Sequence, residues 1–237
     1  MTTLHAGLAF INDTELNIVT LEDPVEASIP GVNHAQINVI GGVTFASGLR
    51  SILRQDPDVV FVGEMRDEEV SQIAIKAALT GHLVLSTLHT NSAADSMIRL
   101  VDLGIRPYLL ANALVMIIAQ RLVRRVCDGC AEDYAPSDDE LRSARLERAD
   151  CAGARFRRGK GCPACQESGF RGRLAVYEVL RVTHDIRELI RKSATVDEVI
   201  SCAQGHGSLP LYDAGLAAAR AGETTLGEVT KRLGDAG

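Results

Sequence analysis

Short apolar runs alternate with stretches of helical periodicity through the first half of the chain, the pattern of a parallel sheet covered by helices. Asn17-Ile18-Val19-Thr20-Leu21 predicts one strand, Asp58 to Val62 a second and His82 to Thr87 a third. Between the first two, Thr44 to Gln55 carries Phe45, Leu49, Ile52 and Leu53 on one face, which predicts a helix. Asp67 is placed to cap the next, where Val70, Ile73, Ala74, Ala77 and Ala78 follow the i, i+3, i+4, i+7, i+8 spacing and Gly81 supplies a stop. A further helix from Ser92 ends near Gly104. Another is predicted from Pro107 to about Val126, with Leu110, Leu114, Ile117 and Leu122 facing inward and Arg121, Arg124 and Arg125 at its end. Between Val25 and Ile40, short extended pieces punctuated by Pro30, Gly31, Gly41 and Gly42 read as a hairpin. After Val126 cysteines, glycines and charges take over, and from about Thr183 the texture is helical again, broken at Gly205, Gly207 and Gly222. The expected division is 1–126, 127–168 and 169–237, with no internal repeat.

Composition narrows the class. A chain of 237 residues that is 46% hydrophobic can bury a sizeable core. Its longest apolar stretch, Tyr108 to Ala119, is interrupted by Asn112 and falls short of the ~20 residues that cross a bilayer. Met1-Thr2-Thr3-Leu4-His5 has no basic start ahead of a hydrophobic run, so the expected location is cytoplasmic. A net charge of -6 argues against a general nucleic-acid binder, which gathers Lys and Arg to neutralise phosphates. Arg155, Arg157, Arg158 and Lys160 form one local basic cluster.

In open parallel sheets ligands gather beyond the carboxyl ends of strands, so three strand ends hold the candidate chemistry. The first carries Glu22, Asp23 and Glu26, suited to holding Mg²⁺ or orienting water, or else to making a solvated turn around Pro24. The second is Asp58-Val59-Val60-Phe61-Val62-Gly63-Glu64, which sets Glu64 directly after a buried strand, where a general base for water belongs; a helix-initiating acid is the alternative. The third, Ser86-Thr87-Leu88-His89-Thr90-Asn91, puts His89 where it either donates to a terminal phosphate or packs and caps. The usual partner of such carboxylates is missing from these residues. No G-x-x-x-x-G-K-[ST] occurs, and the four lysines are Lys76, Lys160, Lys192 and Lys231. Lys160 follows Gly159, but Gly161 stands where Ser or Thr is required and Ala154 where the first glycine belongs.

Cys127-x2-Cys130 and Cys162-x2-Cys165 offer four thiolates in the set that structural zinc takes, closed to catalysis. The 31 residues between the pairs, 131 to 161, exceed the usual ~15 to 20. Zinc is still the better reading, because cytosolic disulfides are unusual. Cys151 and Cys202 have no such partners and read as ordinary thiols.

Thr20-x-Glu22-Asp23-Pro24-x-Glu26, Gly48 to Asp58, Val62-Gly63-Glu64-Met65-Arg66-Asp67 and Thr80 to Asn91 together resemble the ATPases that power type II secretion and type IV pilus assembly. The tetracysteine segment and Gly169-Phe170-Arg171-Gly172-Arg173 belong to the same resemblance, which spans nearly the whole chain. It implies a RecA-like P-loop NTPase core of α/β class, lacking here its first strand and phosphate loop, then a small tetracysteine zinc segment and a helical C-terminal region. It makes Glu64 the catalytic carboxylate of the Walker B box. Glu22, Asp23 and Glu26 of the Asp box, Arg66 and His89 of the His box become nucleotide-site residues. It also implies ATP, Mg²⁺ and structural Zn²⁺, a homo-hexamer, and an inner-membrane platform protein as partner, with the chain peripheral to that membrane. Retraction ATPases typically lack the zinc segment, and DNA-transport ATPases do not usually carry the paired knuckles.

In that resemblance Met1 falls where the last Ser or Thr of the phosphate loop would sit. The expectation is that the chain alone does not hold and hydrolyse ATP efficiently, since the backbone donors, the Lys and the Mg²⁺-binding hydroxyl are missing. A misassigned start, a broken gene and a fragment kept for binding are the competing explanations. The sheet is also expected to expose unpaired backbone where the missing strand would lie.

Overall fold

The computed structural model describes residues 2–234, so Met1 lies outside the described residues. In chain order its elements are α1 (Thr2–Ile11), β1 (Ile18–Glu22), β2 (Asn33–Gln36), α2 (Phe45–Ile52), β3 (Val59–Val62), α3 (Glu68–Leu79), β4 (Leu83–Ser86), α4 (Ala93–Asp102) and α5 (Pro107–Ala113). There follow β5 (Met116–Val126), β6 (Ala131–Asp133), α6 (Asp138–Ser143), β7 (Arg157–Gly159), β8 (Phe170–Arg181), α7 (His184–Arg191), α8 (Val196–Gly205), α9 (Leu211–Arg220) and α10 (Leu226–Leu233). They form two compact units, one of residues 1–90, 95–115 and 182–196, the other of 91–94, 116–181 and 197–237. These units cross the boundaries that composition suggested.

The first unit is built on a parallel sheet in the order β2-β1-β3-β4. Every residue of β1 and β3 is buried, which is why β3 reads as a continuous apolar run, while β1 carries Thr20 and Glu22 among its apolar residues. Alternation sorts their side chains between two layers. Leu4, Leu8 and Ile11 of α1 pack with Ile18, Val59, Phe61 and Leu85 on one face. On the other, Val19, Leu21, Val60 and Val62 meet Leu49 and Ile52 of α2 and Val70 and Ala74 of α3. A Cβ on Gly48 would sit 2.9 Å from Leu21 Cδ1, so glycine lets α2 approach β1 closely. The expected cap Asp67 is present, accepting from the Val70 N–H, and Thr44 caps α2 in the same way, its Oγ1 accepting from the Ser47 N–H. β4 forms one outer edge of the sheet and is less buried than β1 and β3, with Leu83 half exposed.

The hairpin expected between Val25 and Ile40 is not formed. Asn33–Gln36 instead joins the sheet parallel to β1, and antiparallel pairing is confined to Asn38 opposite Val43 around the Gly41-Gly42 turn. The helix expected from Pro107 to Val126 stops at Ala113, where Leu114 turns extended, and the chain continues as β5. Arg121, Arg124 and Arg125 therefore sit on a strand. β-branched residues at 115, 117, 118, 123 and 126 favour the pleat, and β8 supplies the partner. The C-terminal region likewise begins as a strand, and its helices start after Thr183, which caps α7.

In the second unit β5 and β8 pair antiparallel with a bulge between Arg124 and Val126, and β6 pairs with β7. Val123, Val176, Leu141, Phe156, Leu211, Leu226, Val229 and Leu233 make its core. Glu228, with 1% of its side chain exposed, accepts from Arg124 Nε at 2.9 Å, Nη2 at 2.7 Å and the Arg124 N–H at 3.1 Å. Among the described residues no helix is long and apolar enough to cross a membrane.

Candidate nucleotide site and four-cysteine cluster

β1, β3 and β4 run parallel, so their carboxyl ends lie along one edge of the sheet. Hydrogen bonds tie those ends together. The Gly63 N–H donates to the Leu21 carbonyl at 2.8 Å, the Met65 N–H to the Thr87 carbonyl at 3.1 Å, and Thr87 Oγ1 to the Gly63 carbonyl at 2.6 Å. A Cβ on Gly63 would lie 3.2 Å from that Leu21 oxygen, so glycine keeps the segment before Glu64 close to β1.

Glu64 leaves β3 with 13% of its side chain exposed, paired through Oε1 with Arg66 Nε and through Oε2 with His89 Nε2 at 3.2 Å. Both partners reach it from solvent, with side-chain exposures of 63% and 90%. Exposed pairs of this kind contribute little stability, so an anion that binds Arg66 and His89 can displace them at small cost.

Glu22 is set differently. It is fully buried, and Oε1 accepts from Thr20 Oγ1 at 2.7 Å and His34 Nδ1 at 3.0 Å while Oε2 accepts from His5 Nε2 at 2.9 Å. Burial opposes its ionisation, but the bonds from Thr20, His34 and His5 outweigh it and hold the carboxyl below its ordinary value. Glu64, Arg66 and His89 are thus brought into contact, whereas Glu22 is enclosed by its own partners and Asp23 and Glu26 are exposed. Sequence reasoning missed His5 and His34. The available signal was Thr20, a polar residue inside a strand buried on both faces, which demands a partner.

The four cysteines converge in the second unit, their sulfurs all within 4.8 Å of one another. Cys127 to Cys162 is 3.9 Å, Cys130 to Cys165 3.8 Å and Cys162 to Cys165 3.7 Å. A tetrahedron with metal–sulfur bonds of ~2.3 Å has edges of about 3.8 Å, so the set fits one metal ion. It does not fit disulfides, whose sulfurs are ~2 Å apart. Burial opposes ionisation of Cys165, yet backbone N–H groups of Cys162 and Gly169 bring its thiol down to about 7. Burial, with the sulfurs of Cys165, Cys162 and Cys127 around it, pushes Cys130 up to about 12. The two knuckles meet through a close backbone crossing: a Cβ on Gly159 would lie 2.1 Å from the Gly169 carbonyl oxygen.

Residues 1–231 match the family model described as type II/IV secretion system protein. The chain belongs to that family. Its relatives in the type II/IV secretion family include the type IV pilus assembly ATPase PilB of Thermus thermophilus, 46% identical over 97% of this chain and 26% of that protein. The type II secretion system protein E of Pseudomonas aeruginosa is 45% identical over 97% of this chain and 45% of its own length. The chain thus spans less than half of these curated relatives. Among solved structures, the pilus retraction motor PilT with bound ADP superposes with a TM-score of 0.70 at 30% identity, covering 97% of this chain and 56% of that one.

Proposed function

We propose that the chain is the ATP-hydrolysing part, RecA-like in fold, of a motor that drives type II secretion or type IV pilus assembly. The observation that carries the reading is the contact of Glu64 with His89 and Arg66 at the joined ends of β3 and β4. In this reading Glu64 takes a proton from water as the water oxygen attacks the γ-phosphorus, and the bond to the β-phosphate oxygen breaks to release ADP. Arg66 and His89 turn from Glu64 to the terminal phosphate. Asp23 and Glu26, exposed beside Glu22, would hold Mg²⁺ through its waters, and the ion's chemistry would be to neutralise phosphate charge. Residues 1–126 handle nucleotide, and 169–237 form the C-terminal region. Within 127–168, Cys127 and Cys130 join Cys162 and Cys165 to hold zinc as a structural centre, which favours assembly over retraction. The same reading makes the chain a subunit of a cytoplasmic homo-hexamer acting on an inner-membrane platform protein, with no nucleic-acid partner.

The test is phosphate release from the chain extended at its N-terminus with the phosphate-loop strand and loop of the Pseudomonas aeruginosa relative. Glu64→Gln is expected to cut turnover about 100-fold or more. Undiminished turnover in that variant would end the reading. The alternative reading is an assembly subunit that binds its machinery without hydrolysing. The unextended chain in the same assay decides between them.

A further inference from the structure

The buried carboxylate of Glu22 is gripped by side chains that the proposed chemistry does not use. Thr20 and His34 are direct partners in the β1–β2 register, so their side chains stand together on the face that α1 covers. Glu22, two residues after Thr20, lies on the same face, and His5 reaches it from α1. His34 has one available proton arrangement as a neutral ring. Its Nε2 accepts the Ile29 N–H at 3.0 Å, so the ring hydrogen is on Nδ1. That hydrogen points at Glu22 Oε1, 3.0 Å away, and at Thr20 Oγ1, 2.9 Å away, while the Thr20 hydroxyl spends its own hydrogen on the same carboxylate oxygen. The backbone of the segment before β2 therefore selects the tautomer that faces Glu22. The groups around the ring are Glu22 and Thr20 from β1 and Ile29 from the connecting segment, with His5 on the other carboxylate oxygen.

We propose that His34 is a positioning residue, which through its Nδ1–H keeps Glu22 ionised and immobile at the nucleotide edge of the sheet. This rests on the nucleotide-site reading above, and its own chemistry is separable from it. The alternative is that His34 merely anchors the 25–32 segment through Ile29.

Two near-isosteric substitutions split these roles. In His34→Asn the amide nitrogen occupies the position of Nδ1, so the donor to Glu22 survives and the acceptor for Ile29 is lost. In His34→Gln the terminal group reaches the position of Nε2, so the acceptor survives and the donor is lost. Carboxyl ¹³C NMR titration of the 237-residue chain measures Glu22 directly, without any catalysis. His34→Asn is expected to leave the Glu22 midpoint within a few tenths of a pH unit of the parent, and His34→Gln to raise it by about one unit. In the N-terminally extended protein, His34→Gln should lower kcat about tenfold with KM unchanged, and His34→Asn should restore it. The reverse pattern of midpoints, with Asn displaced and Gln at the parental value, overturns the proposal. Equal midpoints in all three proteins overturn it as well. If the parent extended protein hydrolyses nothing, the functional reading fails while the titration still decides the role of His34.

Discussion

Removing Glu228 tests how the second unit is held together. The carboxylate is buried and receives the Arg124 guanidinium through Nε and Nη2 as well as the Arg124 backbone N–H, with Arg232 Nε 3.4 Å away. In Glu228→Ala the backbone donor loses its partner, which costs about 1 kcal/mol. Breaking a buried pair from one side costs roughly 3–5 kcal/mol. Arg124 is 46% exposed and lies over the Phe170 ring at 4.0 Å, so its charge regains water and about half that figure survives. The sum is about 3 kcal/mol. For a chain of this size each kcal/mol moves Tm by about 2–4 °C, so differential scanning calorimetry should show a fall of roughly 6–12 °C. A double-mutant cycle with Arg124→Met isolates the pair, with an expected coupling of at least about 1.5 kcal/mol. A Glu228→Ala protein melting within about 1 °C of the parent would refute the reasoning, because it would mean that water replaces the whole network.

Native contacts hold the Glu22 carboxyl below its ordinary 4.5, so the stability it adds is whole above that pH and is lost as acid protonates the folded state. Thermal melts of the parent should therefore fall below about pH 4.5, and Glu22→Gln should flatten that limb while lowering Tm at neutrality; parallel curves would exclude Glu22 as the titrating group. Metal analysis of the purified chain should give about one zinc per chain, lost in Cys162→Ser, and retention of full zinc in that variant would remove Cys162 from the ligand set. Gly159→Ala forces its methyl against the Gly169 carbonyl, and the knuckles should then release zinc to a chelator at least tenfold faster; an unchanged release rate would show that the crossing gives way easily.

The strands at the centre of the first unit could be read because burial on both faces leaves an uninterrupted apolar signature, as in Val59-Val60-Phe61-Val62. Asp67 was legible as a cap because a short acceptor ahead of a periodic run has a local cause. β5 was not. Its partner β8 begins 44 residues beyond its end, and Leu110, Leu114 and Ile117 fit helical spacing as well as Met116 to Val123 fits the pleat. The candidate site divides in the same way. Glu64 and His89 follow strands that the sequence announces. The histidines around Glu22 come from α1 and β2, and only the assembled sheet brings positions 5, 22 and 34 together.

Glu228 lies 104 residues after the arginine it binds, and Val229 and Leu233 of the same helix are fully buried in the core of the second unit. A nascent polypeptide that has passed β8 can zip its long ribbon, but the core on that ribbon stays incomplete until residues 226–233 clear the ribosome. Maturation of this half consequently waits on residues 226–233, paced by loop closure over a long span rather than by the quick local steps that form its helices.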